Sequence, residues 1–147
     1  MPYLTGIIIA ISTAALGRFA AFDRDRVFYP TVLIVTASYY ALFAVLGGSM
    51  SALIVECIVV TLFVVAAIAG FKINLWYVVG GLVAHGVFDL VHSSIVTNPG
   101  VPVYWPAFCM SYDVALAAIL VRVVLRRNSG AMKAASSVHG IRGPLKD

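Results

Sequence analysis

Long apolar runs separated by short polar breaks make up the chain from Tyr3 to Leu125. A transmembrane helix needs about 20 mostly apolar residues to cross a hydrocarbon core of about 30 Å. Five runs meet or approach this length, at about 3–22, 28–46, 51–70, 75–96 and 106–125. Because the connections between them are short, we expect successive helices to be antiparallel neighbours within one transmembrane domain over residues 1–127.

Composition supports this interpretation. Of the 147 residues, 62% are apolar and 11% are charged, against about 45–50% and about 25% in soluble domains. A soluble domain of this length buries only about 70% of the surface that its unfolded chain exposes, so the apolar excess must face lipid. A soluble enzyme, a secreted disulfide scaffold and a disordered chain are excluded. The predicted fold is an all-α integral membrane bundle of five transmembrane helices.

The basic residues predict an orientation. Given five alternating spans, all ten Lys and Arg residues fall on one side of the membrane, and the loops 47–50 and 97–105 on the other side contain none. The positive-inside rule therefore places the N-terminus outside and the C-terminus in the cytoplasm of a multi-pass cell-membrane protein. A cleaved signal peptide is the alternative for the first span, but no basic residue precedes its apolar run, as such a peptide requires.

The segment 128–147 is polar and aperiodic, and we expect it to be a disordered basic cytoplasmic tail. Basic residues near anionic headgroups gain about 1 kcal/mol each. Membrane lipids are therefore the expected partners, with a lipid or another apolar small molecule as a candidate ligand. Nucleic acid is not an expected partner, and the sequence leaves open whether the chain forms a homo-oligomer.

Five Asp, Glu and His side chains fall inside the predicted spans. Glu56, Asp89 and Asp113 lie in the third, fourth and fifth spans, and His85 and His92 share the fourth. Inserting such a group into a membrane at the centre of a transmembrane helix costs about 2.5–3.5 kcal/mol of free energy. At 1.5 Å of rise per residue, the carboxylates lie roughly 8–11 Å from the predicted outer end, His92 about 6 Å and His85 about 16 Å. The similar depth of Glu56, Asp89, His92 and Asp113 predicts one interior cavity that opens toward the outer side, with His85 deeper on its wall.

The direction in which these residues face supports the same site. His85, Asp89 and His92 lie within about 60° of one another on the fourth helix. No Lys or Arg lies at this depth, so retained protons, an imidazolium or a bound cation must balance the carboxylates. We predict that a divalent ion, zinc or iron, is bound by the four residues Glu56, Asp89, His92 and Asp113.

Neighbouring residues extend the predicted site. His85 is expected to act in catalysis as an orienting group or proton relay, and Tyr112 as an acid or further ligand. Cys109 and Trp105 are expected at the rim of the cavity, where Cys109 could also add a ligand. Tyr40 could contribute a hydroxyl at a comparable depth.

These features favour a metal-dependent membrane enzyme, of hydrolase or isomerase type, that acts on a lipid or other apolar substrate. Two alternatives stay open. The same cluster could serve a proton- or cation-coupled binding or transport protein, or it could hold a structural membrane subunit together. The chain contains no P-loop, G-x-S-x-G, H-E-x-x-H or dinucleotide-binding motif to decide among them.

Overall fold

The computed structural model describes residues 1–22 and 26–141, with side chains described as far as Gly130. It is all-helical in these ranges, with helices α1 Pro2–Phe19, α2 Phe28–Leu46, α3 Met50–Lys72, α4 Trp76–Ile95 and α5 Trp105–Ile141. All five are long and apolar enough to cross a membrane. The predicted all-α class is confirmed, with five helices that could each span a membrane.

Local signals explain where several helices begin and end. The Ser49 hydroxyl caps α3 by accepting a hydrogen bond from the Ala52 amide at 3.3 Å. Just before it, Gly48 takes a φ of 65°, which glycine adopts at little cost and which separates α2 from α3. At the start of α4, the Asn74 side chain accepts a hydrogen bond from the Trp76 amide at 3.1 Å. These caps lie close to the polar breaks in the hydrophobic pattern.

Two boundaries differ from those we predicted. Helix α1 ends at Phe19 rather than near residue 22, because Ala21 takes a φ of 58° that ends the helix. Helix α5 continues to Ile141, so residues 128–141, expected to be disordered, are helical. No proline interrupts the segment 126–141, so nothing in its backbone forces the helix to stop. The remainder of the expected tail, 142–147, lies outside the described residues.

The helices pack around one apolar core. Helix α5 contacts α1 and α4, α2 contacts α3, and α4 also contacts α2 and α3. The core contains fully buried side chains from three helices, Leu33, Val78, Leu82, Leu116 and Leu120. On the outside, Leu62, Val65 and Leu90 are each at least 60% exposed. Such extensive apolar surface is typical of a protein whose outer face contacts lipid.

Close backbone approach fixes two parts of the fold. A Cβ at Gly6 would collide with the Ser111 hydroxyl and the Phe108 carbonyl, so α1 lies directly against α5. A Cβ at Gly100 would collide with the Phe43 carbonyl, so the α4–α5 loop lies against the end of α2. Glycine permits both approaches because it has no side chain. The second approach holds the loop residue Asn98 over the polar cluster described below.

Candidate metal centre

Two residues from α4 and two from α5 form a group that could hold a metal ion, namely His85, Asp89, Cys109 and Asp113. Each pair has i, i+4 spacing, which places both side chains on one helical face, and α4 packs directly against α5. One ligand atom from each residue lies within 4.8 Å of those of the other three. All four side chains are buried, with at most 1% of their surface exposed.

Short polar contacts connect this group. His85 Nδ1 lies 2.5 Å from Asp113 Oδ2 and 3.7 Å from Asp89 Oδ2. The Cys109 thiol donates to the same Asp113 oxygen at 3.8 Å. Three atoms of the group, His85 Nε2, Asp113 Oδ1 and the same Asp89 Oδ2, are buried without a hydrogen-bond partner in the structure. A buried polar atom left unpaired costs about 1–3 kcal/mol, so the group retains unused coordinating capacity.

Tyr40 of α2 connects the group to its surroundings. Its hydroxyl donates to Asp89 Oδ1 at 2.6 Å, which leaves Asp89 Oδ2 as the oxygen available to the group. Its ring stacks on His92, with centroids 4.0 Å apart and planes inclined by 22°. Tyr40 is 1% exposed, so both contacts are made away from lipid.

Glu56 and His92 form a second polar cluster with Asn98. His92 Nε2 lies 2.7 Å from Glu56 Oε1. The Asn98 amide donates to the same Glu56 oxygen at 3.1 Å and to the Tyr40 carbonyl at 3.0 Å. Sequence reasoning missed Asn98, which precedes Pro99-Gly100 in a loop. The Asn-Pro-Gly turn was the available signal, but it gives no indication of contacts with distant helices.

The structure therefore divides the residues predicted to bind metal. Asp89 and Asp113 belong to the four-residue group, whereas Glu56 and His92 pair with each other outside it. His85, expected to be an orienting residue, lies inside the group. His85 and Asp89 of α4 meet Asp113 of α5, whereas His92, nearer the end of α4, meets Glu56 of α3. Depth along a helix does not show which neighbouring helix a side chain meets.

Cys109 lines a cavity whose walls contain none of the predicted ligands Glu56, Asp89, His92 and Asp113. This cavity of about 500 Å³ lies between α1, α2 and α5, and Cys109, Tyr112 and Trp105 are among its lining residues. Tyr112 is 7% exposed, and the Trp105 indole nitrogen is buried without a hydrogen-bond partner in the structure. Cys109 thus joins the cavity to the potential metal ligands, and Tyr112 lies on the cavity wall.

Comparison with protein-family models, curated proteins and solved structures gives no match for this chain. The candidate function therefore rests on the geometry described above.

Proposed function

We propose that His85, Asp89, Cys109 and Asp113 bind a divalent metal ion, with zinc favoured and iron as the alternative. The observation that carries the proposal is the convergence of four buried donor atoms within 4.8 Å of one another. These atoms come from imidazole, thiol and carboxylate groups, which together are characteristic ligands of zinc and iron in proteins.

The spacing of the donors supports this proposal. Zinc binds nitrogen, sulfur and oxygen ligands at about 2.0–2.3 Å with tetrahedral geometry, which places the ligand atoms roughly 3.3–3.8 Å apart. The group needs only small side-chain movements to reach that spacing from 4.8 Å. Charge supports it as well, because the segments 28–70 and 75–121 contain no Lys or Arg to neutralise the carboxylates. A divalent cation supplies the missing positive charge.

We further propose that the centre is catalytic and acts on a lipid or other apolar molecule, by hydrolysis or isomerisation. A metal held by these residues would supply a Lewis acid and an acidified water. Catalytic zinc sites keep one position open for water or substrate. Cys109 is the ligand that lines the cavity, so water or substrate would reach the ion by replacing Cys109 and leaving His85, Asp89 and Asp113 as the three protein ligands. Tyr40 orients Asp89 through the 2.6 Å hydrogen bond.

A proton or cation path across the protein receives less support. Toward the start of α4, the face that carries His85 continues with Leu82 and Val78, both fully buried in the apolar core. Leu116 and Leu120 continue the corresponding face of α5 and are also fully buried. A relay needs successive polar groups or water, and this core offers apolar side chains instead. We therefore favour metal-dependent chemistry over transport.

Metal analysis of the purified protein tests the proposal. We expect about one ion per chain in the native protein, and at least a tenfold lower content in Asp89→Asn and Asp113→Asn because each removes an anionic ligand. Cys57→Ser is the matched control, since this second cysteine is exposed on α3, and it should retain full metal content. A native protein without stoichiometric metal, or an unchanged content in Asp89→Asn, would contradict metal binding.

A further inference from the structure

The cavity beside Cys109 is elongated. Its lining residues on α2 extend from Phe28 to Tyr39, a stretch of twelve residues that spans roughly 16 Å along the helix axis. A smaller cavity of about 340 Å³ lies at the start of α1 and shares Trp105 and Phe108 with it. The two cavities are therefore adjacent and share one wall at the start of α5.

The chemistry of the walls limits what can bind there. In the described part of the chain, no Asp, Glu, Lys, Arg or His side chain lines either cavity. Aliphatic and aromatic side chains dominate the longer one, which suits a hydrocarbon chain. At the shared wall, the Trp105 indole N–H is buried without a hydrogen-bond partner in the structure. It can donate to an uncharged oxygen, such as that of an ester, amide or alcohol.

The longer cavity opens at the surface of the bundle. The wall residues Ile9 and Val35 are 42% and 49% exposed, so the longer cavity is accessible from the lipid-facing surface of α1 and α2. An extended hydrocarbon chain can enter from that side.

We infer that the cavity binds a neutral single-chain lipid, with its hydrocarbon chain along α2 and its uncharged polar end at Trp105, beside Cys109. This inference rests on the proposed function, whose substrate class it names. The polar end of the bound lipid, where an ester, amide or alcohol would react, then lies beside the proposed metal ligands. This follows because Cys109 is both one of those ligands and part of the cavity wall.

Fluorescence quenching of Trp105 tests the inference. The chain has two tryptophans, so the variant Trp76→Phe leaves Trp105 as the sole emitter. The probe is methyl 5-doxylstearate, a neutral single-chain ester with a quenching nitroxide near its polar end, added to phosphatidylcholine vesicles that contain the protein. We expect quenching to saturate, as binding to a defined site requires. Quenching that rises without saturation, as simple partition into lipid produces, would overturn the inference.

Two matched valine substitutions on α2 sharpen the test. Val35 lines the cavity, and Val45 is 59% exposed on the same helix outside it. In the Trp76→Phe background, we expect Val35→Phe to weaken probe binding about tenfold, because the larger ring occupies space that the hydrocarbon chain would fill, and Val45→Phe to leave it unchanged. Circular dichroism and metal content check that both variants are folded. Equal affinity in the two variants would overturn the inference.

Adding Asp113→Asn to the same background distinguishes this inference from metal binding. Asp113 does not line the cavity, so this variant should lose metal yet retain saturable quenching. A native protein that contains metal but shows no saturable quenching would overturn the lipid site and leave the metal centre intact. Saturable quenching in a native protein without metal would overturn the metal centre alone.

Discussion

At the scale of single residues, the direction of each side chain decides which atoms meet. Asp89 lies between His85 and His92 on α4, four and three residues away. Either histidine could chelate with it from one helical face. The structure places Asp89 with His85, while His92 contacts Glu56 at 2.7 Å. The partner helix separates them, because Asp113 of α5 meets His85 and Asp89 while Glu56 of α3 meets His92.

The division into two clusters predicts different effects of two similar substitutions. Glu56→Gln keeps a side chain of the same shape beside His92 and Asn98 and removes no member of the metal-binding group. We expect it to retain native metal content, measured on the purified protein, whereas Asp113→Asn loses metal. Equal loss in both variants would instead favour the ligand set of Glu56, Asp89, His92 and Asp113 predicted from the sequence.

At the scale of helices and loops, close packing positions the site. The α4–α5 loop carries Asn98, whose amide connects the carbonyl of Tyr40 to the carboxylate of Glu56. Contact of Gly100 with the end of α2 holds this loop in place. Helix α1 forms one wall of the long cavity, and its position depends on packing against α5.

We therefore expect Gly6→Ala to destabilise the protein. The added methyl group would collide with Ser111 and the Phe108 carbonyl, and overpacking of this kind costs about 1–3 kcal/mol. SDS-induced unfolding in mixed micelles measures the change in free energy of unfolding. Gly80→Ala is the matched control, because a Cβ there meets nothing within 4 Å and alanine has about 1 kcal/mol higher helix propensity than glycine. Equal stability of the two variants would show that α1 does not depend on this contact.

At the scale of the whole molecule, charge and apolar surface govern how the bundle lies in a membrane. The loops 47–50 and 97–105 contain no Lys or Arg, whereas residues 122–147 contain six. Translocation of basic loops is disfavoured. The proposed arrangement is five antiparallel spans with the N-terminus outside and the basic C-terminal segment in the cytoplasm.

Reporter fusions test this arrangement. Alkaline phosphatase fused after Asp147 should be inactive, and green fluorescent protein at the same position should fluoresce, because the two reporters function on opposite sides of a bacterial inner membrane. An added N-terminal epitope should be accessible to antibody from outside intact spheroplasts. Active phosphatase at the C-terminus would reverse the orientation and place the metal centre nearer the cytoplasmic side.

The sequence by itself determined the class of the molecule and its chemically unusual residues. Five apolar runs predict five helices because each must satisfy its backbone hydrogen bonds within lipid. Glu56, Asp89 and Asp113 could be identified because ionisable groups within such runs are costly and rare. These signals are local in the chain, so they need no knowledge of which helices are neighbours.

The tertiary structure alone decided how these residues are grouped. Depth along a helix follows from residue number, but contact between helices depends on rotation, side-chain inclination and close approach at small residues. Those factors bring Cys109 and His85 together with two aspartates, and they place Asn98 beside Glu56 at 3.1 Å. They also leave the cavity between α1, α2 and α5, because α1 packs on α5 while α2 packs on α3. Long-range packing of this kind has no local signature in the sequence.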